Sequence, residues 1–255
     1  MKNKIDFYDK NSIEILVASG SHTFPLHSHS CFCFGIVEDG TVRFTVRGHS
    51  RELTAGMAYF ILSETGVKIE TSSSYRYITI CIKGSQKERL NSFNYSDYFM
   101  TFPTSEPVRR ICSEYMADSS ASADDTLISS ITELMRPVIS GTSSPSEKRS
   151  SVVSDARRYI IEHAGSAFSL NELAAFVHVS KYYLVKLFKK EMGVTPHQYY
   201  VQAKIRIVKD SITEAENSSD LAQDLGFNDQ SHMCNLFKKE MGISPVEYKK
   251  SIRPK

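Results

Sequence analysis

Four side chains near the start of the chain have the types and spacing of a ligand set: His27, His29, Cys31 and Cys33 fall at every second position. Alternate residues of a strand share a face, so one strand through them would project all four together. Imidazole and sulfur side by side suit zinc or another transition ion. The same face could equally line a small-molecule cavity. Two further sets, far down the chain, carry different chemistry. Tyr182, Val185, Lys186 and Lys189 stand at i, i+3, i+4 and i+7, one face of a helix. Ser231, Cys234, Asn235 and Lys238 repeat that spacing. Hydroxyl, amide and ammonium groups on one helix face can bond base edges and phosphates; the plain alternative is a solvated outer face.

The two helical sets belong to an internal duplication. Leu187 to Gly193 (LFKKEMG) returns as Leu236 to Gly242, forty-nine residues later. Opposite the polar faces, Leu184, Leu187, Phe188 and Met192, and then Met233, Leu236, Phe237 and Met241, form apolar faces. Each helix runs into a Gly, suited to a left-handed cap. Thr195-Pro196 and Ser244-Pro245 then supply a capping hydroxyl and a Pro at the first helical position. Upstream, Ser169-Leu170-Asn171-Glu172 reads as a capping box opening a short helix, and Asp220 is expected to open its counterpart. A short helix, a turn and a second helix with polar outward residues make a helix-turn-helix. Two such units stand in tandem.

These residues resemble the AraC/XylS family of bacterial transcription regulators, above all Gly226-Phe227, Asp229-Gln230-Ser231, Phe237-Lys238-Lys239, Gly242-Ile243-Ser244-Pro245 and Tyr248. The resemblance covers about the last hundred residues. It implies two helix-turn-helix units joined by a long helix, each placing a recognition helix in the major groove. It implies double-stranded DNA and RNA polymerase as partners, with activation the usual direction. Carried over by position, Tyr182, Val185 and Lys186 face bases in the first unit, and Gln230, Ser231 and Asn235 in the second. Lys186 then donates to guanine, Asn235 or Gln230 pairs with adenine, and Val185 meets a thymine methyl. Lys189, Lys190, Lys238 and Lys239 are left for phosphates. The chain departs from the family at Met233, where an aromatic is common, and at Ser218-Ser219, which replaces an apolar lead-in and leaves the second unit less well packed.

Composition fits this reading. Hydrophobic residues make up 41% and charged residues 24%, as in ordinary globular proteins. The net charge of +2 is uneven: residues 149–255 hold sixteen Lys/Arg against twelve Asp/Glu, and the first 148 hold fifteen against seventeen. The positive half carries the repeats, as phosphate binding requires. No apolar run approaches the roughly twenty residues that span a bilayer, and the first residues lack a secretion signal. Five Cys without framework spacing point to reduced thiols in a cytoplasm.

Residues 1–85 read as β structure. Cys31–Glu38 and Thr41–Arg47 flank Asp39-Gly40, a strong hairpin signal, and Val42, Phe44 and Val46 alternate with polar residues. Phe24-Pro25-Leu26-His27-Ser28-His29 and the turns after it resemble the cupin-type effector domain of the same family. Metal-binding cupins usually carry Glu where Cys33 stands here, and a later His that residues 66–70 lack. The expectation is therefore an effector cavity bearing His27, His29 and Cys33, with no metal, no cofactor and no catalytic residue. The alternative is a metal-binding cupin sensor or enzyme tethered to DNA.

From Gln86 to Ile139 the pattern turns helical, with apolar stripes over Pro107–Met116 and Leu127–Met135. Family resemblance implies that such helices dimerise, so a homodimer is expected. Ser140 to Ser146 reads as a linker, and Val152–His163 as the first helix of the DNA-binding part. The expected architecture is α+β: a cupin-like barrel over 1–85, a helical dimerisation segment and linker over 86–148, and an all-α tandem helix-turn-helix domain over 149–255.

Overall fold

The computed structural model describes residues 3–46, 49–142, 150–215 and 217–252. Nine strands come first: β1 (Lys4–Lys10), β2 (Ile13–Gly20), β3 (Phe24–Ser28), β4 (Phe32–Asp39), β5 (Thr41–Val46), β6 (His49–Thr54), β7 (Met57–Ile61), β8 (Gly66–Glu70) and β9 (Tyr75–Ile82). Helix α1 (Gly84–Asn91), β10 (Phe93–Tyr95) and β11 (Phe99–Thr101) precede α2 (Glu106–Ala117), α3 (Ala123–Met135), a 3-10 turn and β12 (Ile139–Thr142). One antiparallel sheet runs β1-β2-β9-β4-β7-β11; a second, β3-β8-β5-β6, packs on it; β10 pairs with β12.

The alternation of β5 does what its pattern requires: Val42, Phe44 and Val46 are buried between the sheets. Strand β4 is apolar on both faces because both are covered. Cys33 and Val37 enter the core between the sheets, while Phe32, Phe34 and Ile36 meet the buried stripes of α2 and α3. Val108, Ile111, Cys112 and Tyr115, with Leu127, Ile128, Ile131 and Met135, are thus spent on the barrel's own outer face.

Asp39-Gly40 does not close a hairpin. Strand β4 pairs with β7 and β9, whereas β5 pairs with β6 and β8. The turn is a corner between sheets. Gly40 has φ +79°, and a Cβ there would stand 2.4 Å from the Ser74 carbonyl oxygen. The helical stretch after Gln86 is interrupted by β10 and β11, and β11 extends the barrel by pairing with β7. Residues 140–142 of the expected linker form part of β12; the rest of it, from 143, lies outside the described residues.

The C-terminal part consists of α4 (Ser151–Glu162), α5 (Leu170–Phe176), α6 (Lys181–Met192), α7 (Pro196–Ser211), α8 (Ser218–Asp224), α9 (Gln230–Met241) and α10 (Pro245–Ser251). Its helix ends are locally determined. Ser169, Ser180 and Asp229 accept from Glu172, Tyr183 and His232 backbone N–H groups. Gly193 and Gly242 close α6 and α9 at φ 77° and 79°. Capping boxes Thr195–Gln198 and Ser244–Glu247 start α7 and α10. Helix α8 starts earlier than expected, because Asn217 rather than Asp220 caps it.

Barrel and helices share an interface. Ile5, Phe7 and Ala18 lie in one buried cluster with Ile205, Val208, Met233, Phe237 and Tyr248. The Tyr199 hydroxyl donates to Glu64, 3.0 Å away, and Arg157 pairs with the same carboxylate at 3.6 Å. Among the described residues no helix is long and apolar enough to cross a membrane.

Candidate functional site

Helices α6 and α9 present the two polar faces at the surface. In α6, Tyr182 is 80% exposed, Lys186 and Lys189 are exposed, and Val185 is half-buried at the edge of the face. In α9, Gln230, Ser231, Asn235 and Lys238 are all exposed, with Cys234 half-buried among them. The opposite faces hold the cores: Leu184, Phe188 and Met192 in α6, Met233 and Phe237 in α9. Helix α7, sixteen residues long and so about 24 Å at 1.5 Å per residue, joins the two units. Lys204 reaches from α7 to the second unit's turn, donating to the Gly226 carbonyl oxygen at 2.9 Å. The spacing of α6 and α9 is therefore built into packed structure. Sequence reasoning passed over Lys181 and Tyr183, which share the exposed start of α6.

A second site lies between the barrel and α7. A cavity of about 320 Å³ has Leu16, Phe24, Tyr59, Ile61 and Tyr77 on the barrel side and Ile205 and Met241 on the helical side. Cationic Lys83, Arg206 and Lys209 line it together with acidic Glu14, Asp210 and Glu240. Lys209 and Lys83 both turn to Glu14, at 2.5 Å and 3.4 Å. Burial acts to lower the pKa of Lys209, but the Glu14 carboxylate, with Tyr248, raises it overall. The charged lining is balanced, with three cationic side chains against three acidic ones.

The floor holds the residues that the sequence singled out. His27 through Cys33 do not form one strand, because β3 ends at Ser28 and β4 begins at Phe32. The side chains converge nonetheless. His27 Nε2 stands 3.0 Å from His29 Nε2, and Cys31 Sγ 3.5 Å from Cys33 Sγ. Cys81 of β9, opposite Cys33 in the ladder, brings a third sulfur to 3.8 Å from Cys33 Sγ. Sequence reasoning missed Cys81, although Tyr77, Thr79 and Cys81 alternate onto one face of β9 as the cavity residues do. Burial pushes the His27 pKa down to about 3, reinforced by the neighbouring His29, so its ring is neutral. Thiol hydrogen bonds from Cys33 and Cys81 pull Cys31 well below the usual thiol range, and the same bonds to Cys31 push Cys33 and Cys81 up.

Ser28 ties the floor to α7. Ser28, between the two His, donates its backbone N–H and its hydroxyl to Gln202 Oε1, each at 3.2 Å. Its carbonyl oxygen accepts from Arg206 at 3.1 Å. Both partners are on α7.

Comparisons with known proteins agree with this architecture. A family model described as an AraC-like ligand binding domain matches residues 14–132, and one described as a helix-turn-helix domain matches 173–251. The uncharacterized HTH-type transcriptional regulator YbfI of Bacillus subtilis is 35% identical over 75 residues, 29% of this chain and 27% of its own length. The chain thus spans little more than a quarter of that relative. The probable transcriptional regulator LumQ of Photobacterium leiognathi is 24% identical over 234 residues, 86% of this chain and 89% of that one. Among solved structures, ToxT of Vibrio cholerae superposes with a TM-score of 0.65 over 96% of this chain and 100% of its own, at 12% identity, a likeness of fold. The chain thus joins an AraC-like ligand binding domain to a helix-turn-helix domain, the composition of an AraC-type transcription regulator.

Proposed function

We propose that this AraC-type regulator reads an asymmetric DNA site with α6 and α9 and is controlled through the cavity between its barrel and α7. Two exposed polar faces held at the ends of one buried helix carry the reading. Tyr182, Val185 and Lys186 read bases in one major groove, and Gln230, Ser231 and Asn235 in the next; Lys189 and Lys238 hold phosphates. Consecutive major grooves on one face of DNA lie about 34 Å apart, more than the roughly 24 Å length of α7. A bent site brings both grooves to the two helices, and sequences that bend easily are favoured.

The cavity takes a small effector, and His27, His29 and Cys33 meet it at the floor. Structures of ToxT have been solved with an unsaturated fatty acid and with a naphthalenyl butenoic acid, which supports a small-molecule effector here. An effector that binds the cavity changes the contacts of Gln202 and Arg206 with Ser28, and so the placement of α7. The protein acts in the cytoplasm as an activator that engages RNA polymerase, and as a homodimer. Because the apolar stripes of α2 and α3 face inward, such a dimer uses their outer faces, where Met116 is 40% exposed.

Footprinting of full-length protein on a selected site, with sedimentation of the free and bound forms, tests the reading. An asymmetric footprint from each protomer, covering two consecutive major grooves, is expected. A palindromic footprint from one protomer would overturn it.

A further inference from the structure

The missing carboxylate and missing third His argue against a metal only if the donors must come from the usual cupin positions. Cys81, forty-eight residues beyond Cys33, supplies a donor from a different strand. Four ligands placed tetrahedrally around zinc, at about 2.3 Å for sulfur and 2.0–2.1 Å for nitrogen, stand about 3.8 Å apart sulfur to sulfur and about 3.5 Å sulfur to nitrogen. The measured separations are 3.5 Å for Cys31–Cys33 and 3.8 Å for Cys33–Cys81. A ring nitrogen of His29 and the sulfurs of Cys31 and Cys33 lie within 4.8 Å of one another. Two of the three sulfur–sulfur edges already match a tetrahedron, and His29 has about an ångström to move to meet Cys31 and Cys33.

We propose that His29, Cys31, Cys33 and Cys81 bind one soft or borderline d10 metal ion, of which Zn(II) is the type, at the floor of the interdomain cavity.

The surroundings of the cluster fit that role. His27 Nδ1 stands 2.7 Å from the Pro25 carbonyl oxygen, which only accepts, so Nδ1 carries the proton. His27 Nε2 is then a lone pair, and the His27–His29 contact makes His29 Nε2 the donor. Nδ1 of a neutral His29 is left with a lone pair to give a metal. An outer partner that fixes tautomer and ring orientation is the usual companion of a ligating His. The three sulfurs are free thiols, with residue exposures of 8%, 1% and 7% for Cys31, Cys33 and Cys81. Binding takes all three sulfurs as thiolates, releasing to solvent the protons they still carry, and leaves a centre of charge −1 with Zn(II). Arg206 on the same cavity wall supplies countercharge. Moving His29 onto a metal pulls on Ser28, which makes three bonds to α7. Metal occupancy is thereby coupled to the helix that spaces the two recognition helices.

The effect on DNA rests on the regulatory reading above; the site itself does not, and metal uptake is measured without DNA. Untagged full-length protein, reduced and stripped of metal, is titrated with Co(II) and then with Zn(II) against a competing chelator. Binding of one equivalent is expected, with sulfur-to-cobalt charge-transfer absorption that Zn(II) abolishes. Cys33→Ser and Cys81→Ser should each weaken Zn(II) binding at least about 100-fold. Cys112→Ser, whose thiol lies in the core beneath α2 and α3, should leave it unchanged. Thermal transitions of the metal-free variants establish that they fold. Wild-type protein with no charge-transfer band, or with less than one equivalent bound, overturns the proposal whatever the variants do. Cys81→Ser with wild-type affinity overturns the four-ligand set. Should the metal bind as expected while the wild-type protein selects no DNA site, the regulatory reading fails and the metal site stands.

Discussion

The first helix-turn-helix unit closes on helical residues alone, whereas the second takes three barrel side chains into its core. The buried cluster around α5 and α6 runs from Val153 to Ala203 without a barrel member, and Leu26 packs only at its margin. The cluster around α8 and α9 includes Ile5, Phe7 and Ala18. Phe7 meets the Tyr248 ring edge-on at 4.8 Å, and a backbone bridge joins Phe7 to Ile252. Asn3 donates to the Gly242 carbonyl oxygen, and His22 meets that of Lys239. Repeats that are alike in their caps and turns thus differ in what holds them. The second unit is linked to the barrel through its buried core, whereas the first meets the barrel at Glu64 and at Gly66, beside the end of α6.

Removing Phe7 should break that asymmetry most clearly. Phe7 is 1% exposed, and truncating a buried Phe to Ala costs about 3–5 kcal/mol. In Phe7→Ala, hydrogen exchange should rise across residues 218–252 and stay near wild type across 170–192. Equal loosening of both units would show that they share one cooperative core.

The two helix-ending glycines sharpen the comparison by a different route. Both are left-handed, which costs a non-Gly residue about 1–2 kcal/mol. Their neighbours differ. A Cβ on Gly193 would stand 2.9 Å from Gly66 Cα, which is backbone, whereas one on Gly242 would meet His22 and Phe24 side-chain atoms at 3.2 Å. Gly193→Ala should therefore add about 1–3 kcal/mol of overpacking to the left-handed penalty, and Gly242→Ala less. Chemical denaturation of the two variants checks the order.

At the DNA, the units should lose affinity alike but specificity at different bases. Lys186→Ala and Asn235→Ala should each cost about 1–3 kcal/mol on the best site and relax preference at one base step. Lys189→Ala should weaken all sequences alike and flatten the salt dependence. Binding to a panel of mutated sites reads the difference. Identical profiles for Lys186→Ala and Lys189→Ala would mean that the face has been assigned wrongly.

What was legible in the sequence was what local rules dictate. The repeat, its caps apart from that of α8, the alternation of β5 and the exposed faces of α6 and α9 each follow from a few neighbouring residues. Asp39-Gly40 misled because a turn signal reports a reversal of the chain and not which sheet receives the next strand. The β11 strand was hidden by its length, three residues in Phe99–Thr101, too short for a period to show. Cys81 escaped because its partnership with Cys33 is a matter of register between β4 and β9, and no local pattern encodes register across forty-eight residues. The barrel's share in the second unit was foreshadowed only by a deficit: Ser218-Ser219 offers no apolar lead-in, and Ile5, Phe7 and Ala18 supply buried apolar surface from elsewhere.

The smallest effects belong to the N-caps of the two recognition helices. Ser180 accepts from the Tyr183 N–H and Asp229 from the His232 N–H, and losing such a cap costs about 0.5–2 kcal/mol, typically near 1. Asp229 also sets a negative charge at the positive end of α9, worth a further 0.3–1 kcal/mol or so at low ionic strength. On local chemistry alone, Asp229→Ala should be the more costly change, with the excess over Ser180→Ala shrinking as salt is added. Packing argues the other way, since α9 leans on the barrel at its C-terminal end through His22 and Asn3 while α6 relies more on its own unit. The two causes separate in the readout. A cap acts on the first turn, which the barrel contacts at the far end of α9 leave untouched, so exchange of the first α9 amides should rise in Asp229→Ala as it does for α6 in Ser180→Ala. If Asp229→Ala is silent in both stability and exchange, the barrel holds the whole of α9, and the second unit is more dependent on the sensing half than its own cap allows.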